Sequence, residues 1–192
     1  MHLTARLIGC FWLVFLAYWL ISSLGVKKNA KGGPWRQAMG IRLVIIVIVV
    51  LFWRTAALRE FASRFGGLRV PPSNPFIAAL GVVLCASGIA FAIWARRHIG
   101  RNWGMPMSFK EDPELVTTGP YAMVRHPIYS GIIAAMAGSV LGVGIAWLAP
   151  LVLFCAYFVY SASTEERLML ERFPTTYLAY MERTKMLIPF IL

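Results

Sequence analysis

Two short stretches carry most of the residues that could do chemistry. The first is Arg125-His126-Pro127-Ile128-Tyr129, preceded by Leu115-Val116-Thr117-Thr118-Gly119-Pro120-Tyr121. Proline suits the first residue of a helix, so Pro127 opens one and leaves His126 near its N-cap. Tyr129, three positions on from His126, returns to the same side of the first turn. A helix start offers unpaired N–H groups and partial positive charge, suited to a carboxylate or phosphate. Arg125 adds a planar fork of donors, and Tyr121 and Tyr129 add aromatic walls with hydroxyls. The same residues also suit plain anchoring of a helix at a lipid interface.

The second stretch is Glu165-Glu166. Neighbours on a helix project about 100° apart, so one carboxylate is expected to face inward, where it would attract a cationic group. Ser163-Thr164-Glu165-Glu166 equally fits a capping box, in which a hydroxyl residue is followed three positions later by Glu. His2, His98 and His126 are too scattered to suggest a metal site, and no metal is expected. Cys10, Cys85 and Cys155 lie in apolar runs without metal spacing and read as packing residues.

The elements that position these groups are membrane helices. Of 192 residues, 59% are hydrophobic and 14% charged, against about 45–50% and 25% in soluble domains. That excludes a soluble, disordered or collagen-like chain. A net charge of +11 in so apolar a chain points to loops beside anionic lipid rather than to nucleic acid. A crossing needs about 20 apolar residues. Residues 7–24, 40–58 and 75–95 supply three spans, the first a retained anchor rather than a signal peptide. From Pro127 to Thr164 no residue is charged, and one helix of that length would reach about 57 Å, too long for a single crossing. The segment therefore folds back at Gly142-Val143-Gly144, giving a hairpin of spans 127–142 and 145–164. Pro150 is a candidate kink, and Gly138 with Gly142, and Ala134 with Gly138, allow close helix approach.

The fold class expected is thus an all-α integral membrane protein of one domain (1–192), with about five transmembrane helices and a C-terminal hairpin. The first loop (with Lys27, Lys28, Lys31, Arg36 and Arg42), loop 96–126 and the tail 165–192 share one side. Fourteen of the nineteen Lys and Arg residues and seven of the eight acids fall there. The positive-inside rule makes that side cytoplasmic and the N-terminus external.

The ordered blocks Gly100-Arg101-Asn102-Trp103, Leu115 to Tyr121, Arg125 to Tyr129 and Glu165-Glu166, followed by Phe173, Tyr177, Tyr180 and Leu187-Ile188-Pro189, resemble the isoprenylcysteine carboxyl methyltransferase family over roughly the C-terminal half. The resemblance implies a helical membrane core whose cytosolic loop and helices close over S-adenosylmethionine, leaving S-adenosylhomocysteine as product. It implies that the Leu115-Val116 backbone holds the adenine. Gly119, Tyr121, His126, Pro127 and Tyr129 would enclose the ribose and methionine portions, with Glu165 or Glu166 on the amino group. Arg125, with Asn102 and Trp103, would position a lipophilic acceptor arriving from the bilayer, and Glu166 would assist if that acceptor were an amine. Two departures stand out. Ser161-Ala162-Ser163-Thr164 precedes the Glu pair where prenylcysteine-methylating members carry a basic residue, and Pro174 stands where Gly is common. The substrate therefore stays open between a prenylcysteine-type carboxylate and a phospholipid or small molecule methylated at N or S. A non-catalytic membrane protein that binds anionic lipid or a partner is the alternative of a different class.

Overall fold

A computed structural model describes residues 2–22, 74–104 and 114–189. The expected span 40–58 and the acidic residues Glu111 and Asp112 lie outside the described residues. The described residues form five α-helices: α1 (His2–Ser22), α2 (Pro75–Ile99), α3 (Pro127–Val143), α4 (Leu148–Arg172) and α5 (Pro174–Arg183). Short 3₁₀ turns at Gly100–Asn102, Gly119–Ala122 and Ile145–Trp147 join them. The described residues contain no strand, only an isolated parallel bridge between Val124 and Lys185.

Local chemistry explains the boundaries. Asn74 caps α2 by accepting from the Phe76 N–H at 2.9 Å, and Pro75 fills the first position, where no N–H is needed. Pro127 and Pro174 open α3 and α5 in the same way. Gly144, at φ 136°, ends α3 in a conformation that residues bearing a Cβ rarely adopt. Three stretches, Leu3–Ser22, Pro75–Asn102 and Ile145–Arg172, are long and apolar enough to cross a bilayer. The apolar α3, with 17 residues, is shorter. The protein is an integral membrane protein with a helical core.

The tightest packing lies outside the α3–α4 pair, whose far ends meet at His126 and Glu166. α3 packs far more extensively on α2 than on α4. Its face Gly131, Ala135, Gly138 and Gly142 lies against Gly81, Cys85, Gly88 and Ala92 of α2. A Cβ on Gly138 would sit 2.4 Å from the Cys85 backbone N, and one on Gly81 2.4 Å from the Gly142 backbone N. Ala135, fully buried, takes the seam position that the sequence suggested for Ala134. Both backbones approach because small residues recur at spacings of four and three on each helix.

α1 closes the seam from the side. Ile8 and Phe15 pack with Cys85, Ile89, Ala92 and Ala135, and the Trp12 indole N–H donates to the buried Ser139 hydroxyl at 3.0 Å. Ser139 itself bonds the Ala135 carbonyl at 2.9 Å, so no polar atom of this tie is stranded.

Two local expectations on α4 change. Pro150 falls not in the interior of α4 but in its first turn, where a missing N–H costs nothing. Ser163 and Thr164 do not cap a helix start. They lie inside α4, and their hydroxyls donate backwards to the Val159 and Tyr160 carbonyls, each at 2.9 Å. The helix therefore runs unbroken through Glu165 and Glu166 to Arg172.

Candidate functional site

The start of α3, the last turns of α4 and the chain after α5 meet at one end of the bundle. Arg125 spreads its guanidinium over the Glu166 carboxylate, with Nε to Oε1 at 2.6 Å and Nη2 to Oε2 at 3.3 Å. Its Nη1 donates to the carbonyls of Met181 and Thr184 at the C-terminal end of α5. A cation there satisfies orphan carbonyls and opposes the negative end of the helix dipole. Four of the five guanidinium N–H groups are thereby committed within the protein.

His126 lies between the two glutamates. Its Nε2 is 3.3 Å from Glu166 Oε1 and its Nδ1 3.5 Å from Glu165 Oε2. With a carboxylate at each nitrogen, the ring bonds both only as the imidazolium. Burial alone would lower its pKa, but the hydrogen bonds and charges of Glu165 and Glu166 outweigh burial and hold it above the ordinary histidine value. Tyr129 completes the cluster by donating from its hydroxyl to Glu165 Oε1 at 2.6 Å. Both glutamates thus reach the cluster, where the sequence led us to expect one. Glu166 side-chain exposure is 7% and that of Glu165 is 25%, so Glu165 is the more accessible carboxylate of the two.

The anion-favouring start of α3 is therefore met by the protein's own carboxylates. His126 and Tyr129 also stack, with centroids 5.5 Å apart and planes 5° apart, and Tyr129 stacks on Phe158 of α4 at 4.5 Å. This ladder of rings leads from the charged cluster into the apolar body formed by Ile128, Phe158 and Ala162.

The chain after α5 fixes the cluster in place. The Arg125 N–H donates to the Lys185 carbonyl at 2.8 Å and the His126 N–H to the Met186 carbonyl at 3.0 Å. The Ser130 hydroxyl reaches the Leu187 carbonyl, and the Tyr180 hydroxyl donates to the Tyr121 carbonyl at 2.6 Å. Burial pushes the phenols of Tyr121 and Tyr177 up, and that of Tyr180 up to about 12, so all three stay neutral donors.

The remaining expected residues fall around this cluster unequally. Gly119 (φ 60°) and Tyr121 form the 3₁₀ turn leading to it. Leu115 and Val116 lie in an irregular, half-buried stretch whose backbone groups make no hydrogen bond to the described residues. Pro127 is fully buried at the start of α3. Asn102 and Trp103 belong to a different corner. Asn102 Nδ2 donates to Glu114 at 3.2 Å, and Trp103 lies under Arg96, whose Cζ is 4.5 Å from the ring centroid. Arg96 also bonds the carbonyls of Gly100 and Ser22, tying the ends of α1 and α2 together. Neither makes a described hydrogen bond to the Arg125 cluster, though Trp103 packs against the apolar core that holds Tyr121, Ile128 and Tyr129.

Sequence reasoning missed His98, whose ring lies against Gly119, and gave no role to Tyr177 and Tyr180. Nothing in spacing alone marks His98. The i, i+3 pair Tyr177 and Tyr180 was a visible signal of one buried helix face.

A helical membrane protein with a buried Arg–His–Glu–Glu cluster at one end of its bundle is the class that this geometry defines. The chain belongs to the phospholipid methyltransferase family, whose model matches residues 76–176. That segment contains Asn102, Trp103, the Leu115 to Tyr129 residues and both glutamates. Two relatives carry names drawn from metal resistance. The chain is 29% identical over 172 residues to the cobalt-zinc-cadmium resistance protein CzcN of Cupriavidus metallidurans, covering 86% of this chain and 69% of that protein. It is 35% identical over 95 residues to the nickel-cobalt-cadmium resistance protein NccN of Alcaligenes xylosoxydans xylosoxydans, covering 49% and 37%.

Proposed function

We propose that the protein is an S-adenosylmethionine-dependent methyltransferase that modifies a lipophilic acceptor at the cytoplasmic membrane face, with carboxyl O-methylation of a prenylcysteine-type substrate as the first chemistry to test. The observation that carries this reading is the convergence of Glu165, Glu166, His126 and Tyr129, inside the family-matched segment, on one cluster with a partly open carboxylate. S-adenosylmethionine brings an ammonium group, a sulfonium and an adenine. Glu165 suits the ammonium, and the backbone of Leu115 to Thr117, without a hydrogen bond among the described residues, suits the adenine edge. When bound, the cofactor would supply an electrophilic methyl group for the acceptor's lone pair, with sulfur as the leaving group.

The chain's own residues bind and orient. Tyr129 fixes the aim of Glu165 through its 2.6 Å hydrogen bond. Arg125 and His126 neutralise Glu166 and hold the helix carrying both carboxylates. A carboxylate acceptor is already ionised near neutral pH and needs no base, so in-line positioning and exclusion of water supply the rate, where orientation can be worth about 7–11 kcal/mol. The ring ladder His126–Tyr129–Phe158 offers the acceptor's apolar tail a route between α3 and α4. In this reading loop 96–126 and the tail face the cytosol and the N-terminus lies outside.

A second reading, methylation at N or S of a phospholipid or small molecule, is favoured by one feature. Arg125, the cation expected to hold an acceptor carboxylate, is committed through four of its five N–H groups, and Ser161 to Thr164 offer no other cation. Glu166 would then assist deprotonation of an amine.

Calorimetric binding of S-adenosylhomocysteine to detergent-purified protein tests the shared core of both readings. Saturable binding is expected, weakened at least about tenfold by Glu165→Gln and by His126→Ala. No binding by folded wild type, in detergent and again in lipid nanodiscs, would return the cluster to a structural brace in a lipid-binding or partner-binding protein. Competition between an S-farnesylcysteine and an aminophospholipid then separates the two acceptor classes.

A further inference from the structure

His98 stands at the C-terminal end of α2, outside every block that carries the family resemblance, yet it touches the turn proposed to wrap the cofactor. Its Nε2 is 2.8 Å from the Thr118 hydroxyl oxygen. The face of the ring over Nδ1, Cε1 and Nε2 lies against Gly119. A Cβ added to that glycine would meet Cε1 at 2.7 Å, Nδ1 at 2.8 Å and Nε2 at 2.9 Å. Gly119 is thus required twice, by its φ of 60° and by the space the imidazole occupies. The ring also lies 27° from the plane of Tyr121 at a centroid distance of 6.4 Å.

Three features separate His98 from a residue that merely ends a helix. It is solvent-exposed, whereas the neighbouring Arg96 is buried. Its Nδ1 makes no hydrogen bond among the described residues, so one nitrogen is in use and one is open. It faces Gly119 and Tyr121. A histidine placed only for the helix dipole would need none of this, since Arg96 and Arg97 already put cations in the same last turn.

We propose that His98 belongs to the cofactor site, its Nδ1 meeting a ribose hydroxyl of the nucleoside while its Nε2 braces the Thr118–Gly119 turn. This rests on the methyltransferase reading above and adds to it the residue that recognises the sugar. An imidazole nitrogen suits a hydroxyl partner, because a hydroxyl both donates and accepts.

The test compares S-adenosylhomocysteine with its 2′-deoxy and 3′-deoxy analogues, by calorimetry, on wild type and His98→Ala. Thermal unfolding is recorded alongside, and it is expected to be unmoved because the side chain is exposed. Wild type should lose about tenfold in affinity on removal of one hydroxyl. His98→Ala should bind the parent compound about tenfold more weakly and no longer discriminate against that analogue. Unchanged affinity in His98→Ala, or an equal loss for the parent and both analogues, would overturn the proposal and leave His98 as a brace for Thr118. Failure of wild type to bind the parent compound would instead overturn the methyltransferase reading on which it rests.

Discussion

The seam between α2 and α3 and the cluster around Glu166 hold the molecule together by opposite means. Along the seam, atoms are missing: Gly81, Gly88, Gly131, Gly138 and Gly142 let two backbones approach until a single Cβ has no room. In the cluster, charges are concentrated: Arg125, His126, Glu165 and Glu166 form a network whose members are each partnered. Lipid gives apolar helices no hydrophobic reason to associate, so the seam relies on van der Waals fit. The cluster relies on complete pairing, because a buried charge without its partner costs far more than the pair gains. The seam should therefore be sensitive to added atoms and the cluster to removed ones.

The largest effect is expected in the cluster. Arg125→Met leaves Glu166 buried beside the imidazolium alone and frees the carbonyls of Met181 and Thr184. Glu166→Leu strands the guanidinium. Each should cost about 3–5 kcal/mol, and the double variant should cost much less than their sum. Thermal or denaturant unfolding in detergent measures this cycle. Additive losses would show that the two side chains are not a buried pair. On the seam, Gly138→Ala should cost about 1–3 kcal/mol through overpacking against the α2 backbone. Gly9→Ala on α1, where a new Cβ meets nothing within 4 Å, should be nearly neutral. Equal effects at Gly138 and Gly9 would remove the seam from the account.

The two regions also differ in how far the sequence revealed them. The charge-free run from Pro127 to Thr164 required a turn, and Gly142-Val143-Gly144 supplied its place, because φ values such as that of Gly144 are a local property of glycine. The partner of α3 was not readable in that way. Gly81, Cys85, Gly88 and Ala92 form a seam only once α2 is known to lie opposite, and periodicity on one helix names no partner. In the cluster, Arg125, His126, Tyr129 and the Glu pair were legible as polar groups where an apolar chain has little reason to hold them. The convergence of both glutamates was not, since it depends on His126 offering a nitrogen to each. The commitment of Arg125 to α5 was hidden for the same reason: its partners at Met181 and Thr184 are backbone carbonyls, and any residue type supplies those.

Protonation sharpens the comparison, because the seam contains nothing that titrates near neutrality. His126 has its pKa raised in the folded protein despite burial, through Glu165 and Glu166. Its contribution is complete below the unfolded value, about 6.5, and is lost as pH rises through the higher folded value. Wild type without cofactor should therefore lose stability as pH rises above that window, while His126→Gln should be flatter. Parallel profiles for the two proteins would argue against the imidazolium.

The smallest effect concerns the clasp that carries the cluster's geometry to the Gly119–Ala122 turn. Tyr180 donates to the Tyr121 carbonyl from a phenol that stays protonated, its pKa pushed up to about 12 by burial. Tyr180→Phe keeps the ring against Tyr177 and removes only that donor, so stability should fall by about 1 kcal/mol. The cluster itself keeps all its partners in this variant, since no described bond of Arg125 or His126 involves the phenol. If the turn's placement depends on the clasp, affinity for S-adenosylhomocysteine should fall about tenfold even where the protein is fully folded. A loss of stability with unchanged affinity would mean that the turn is held from the other side, by His98 on Thr118 and Gly119, and that the clasp serves folding alone.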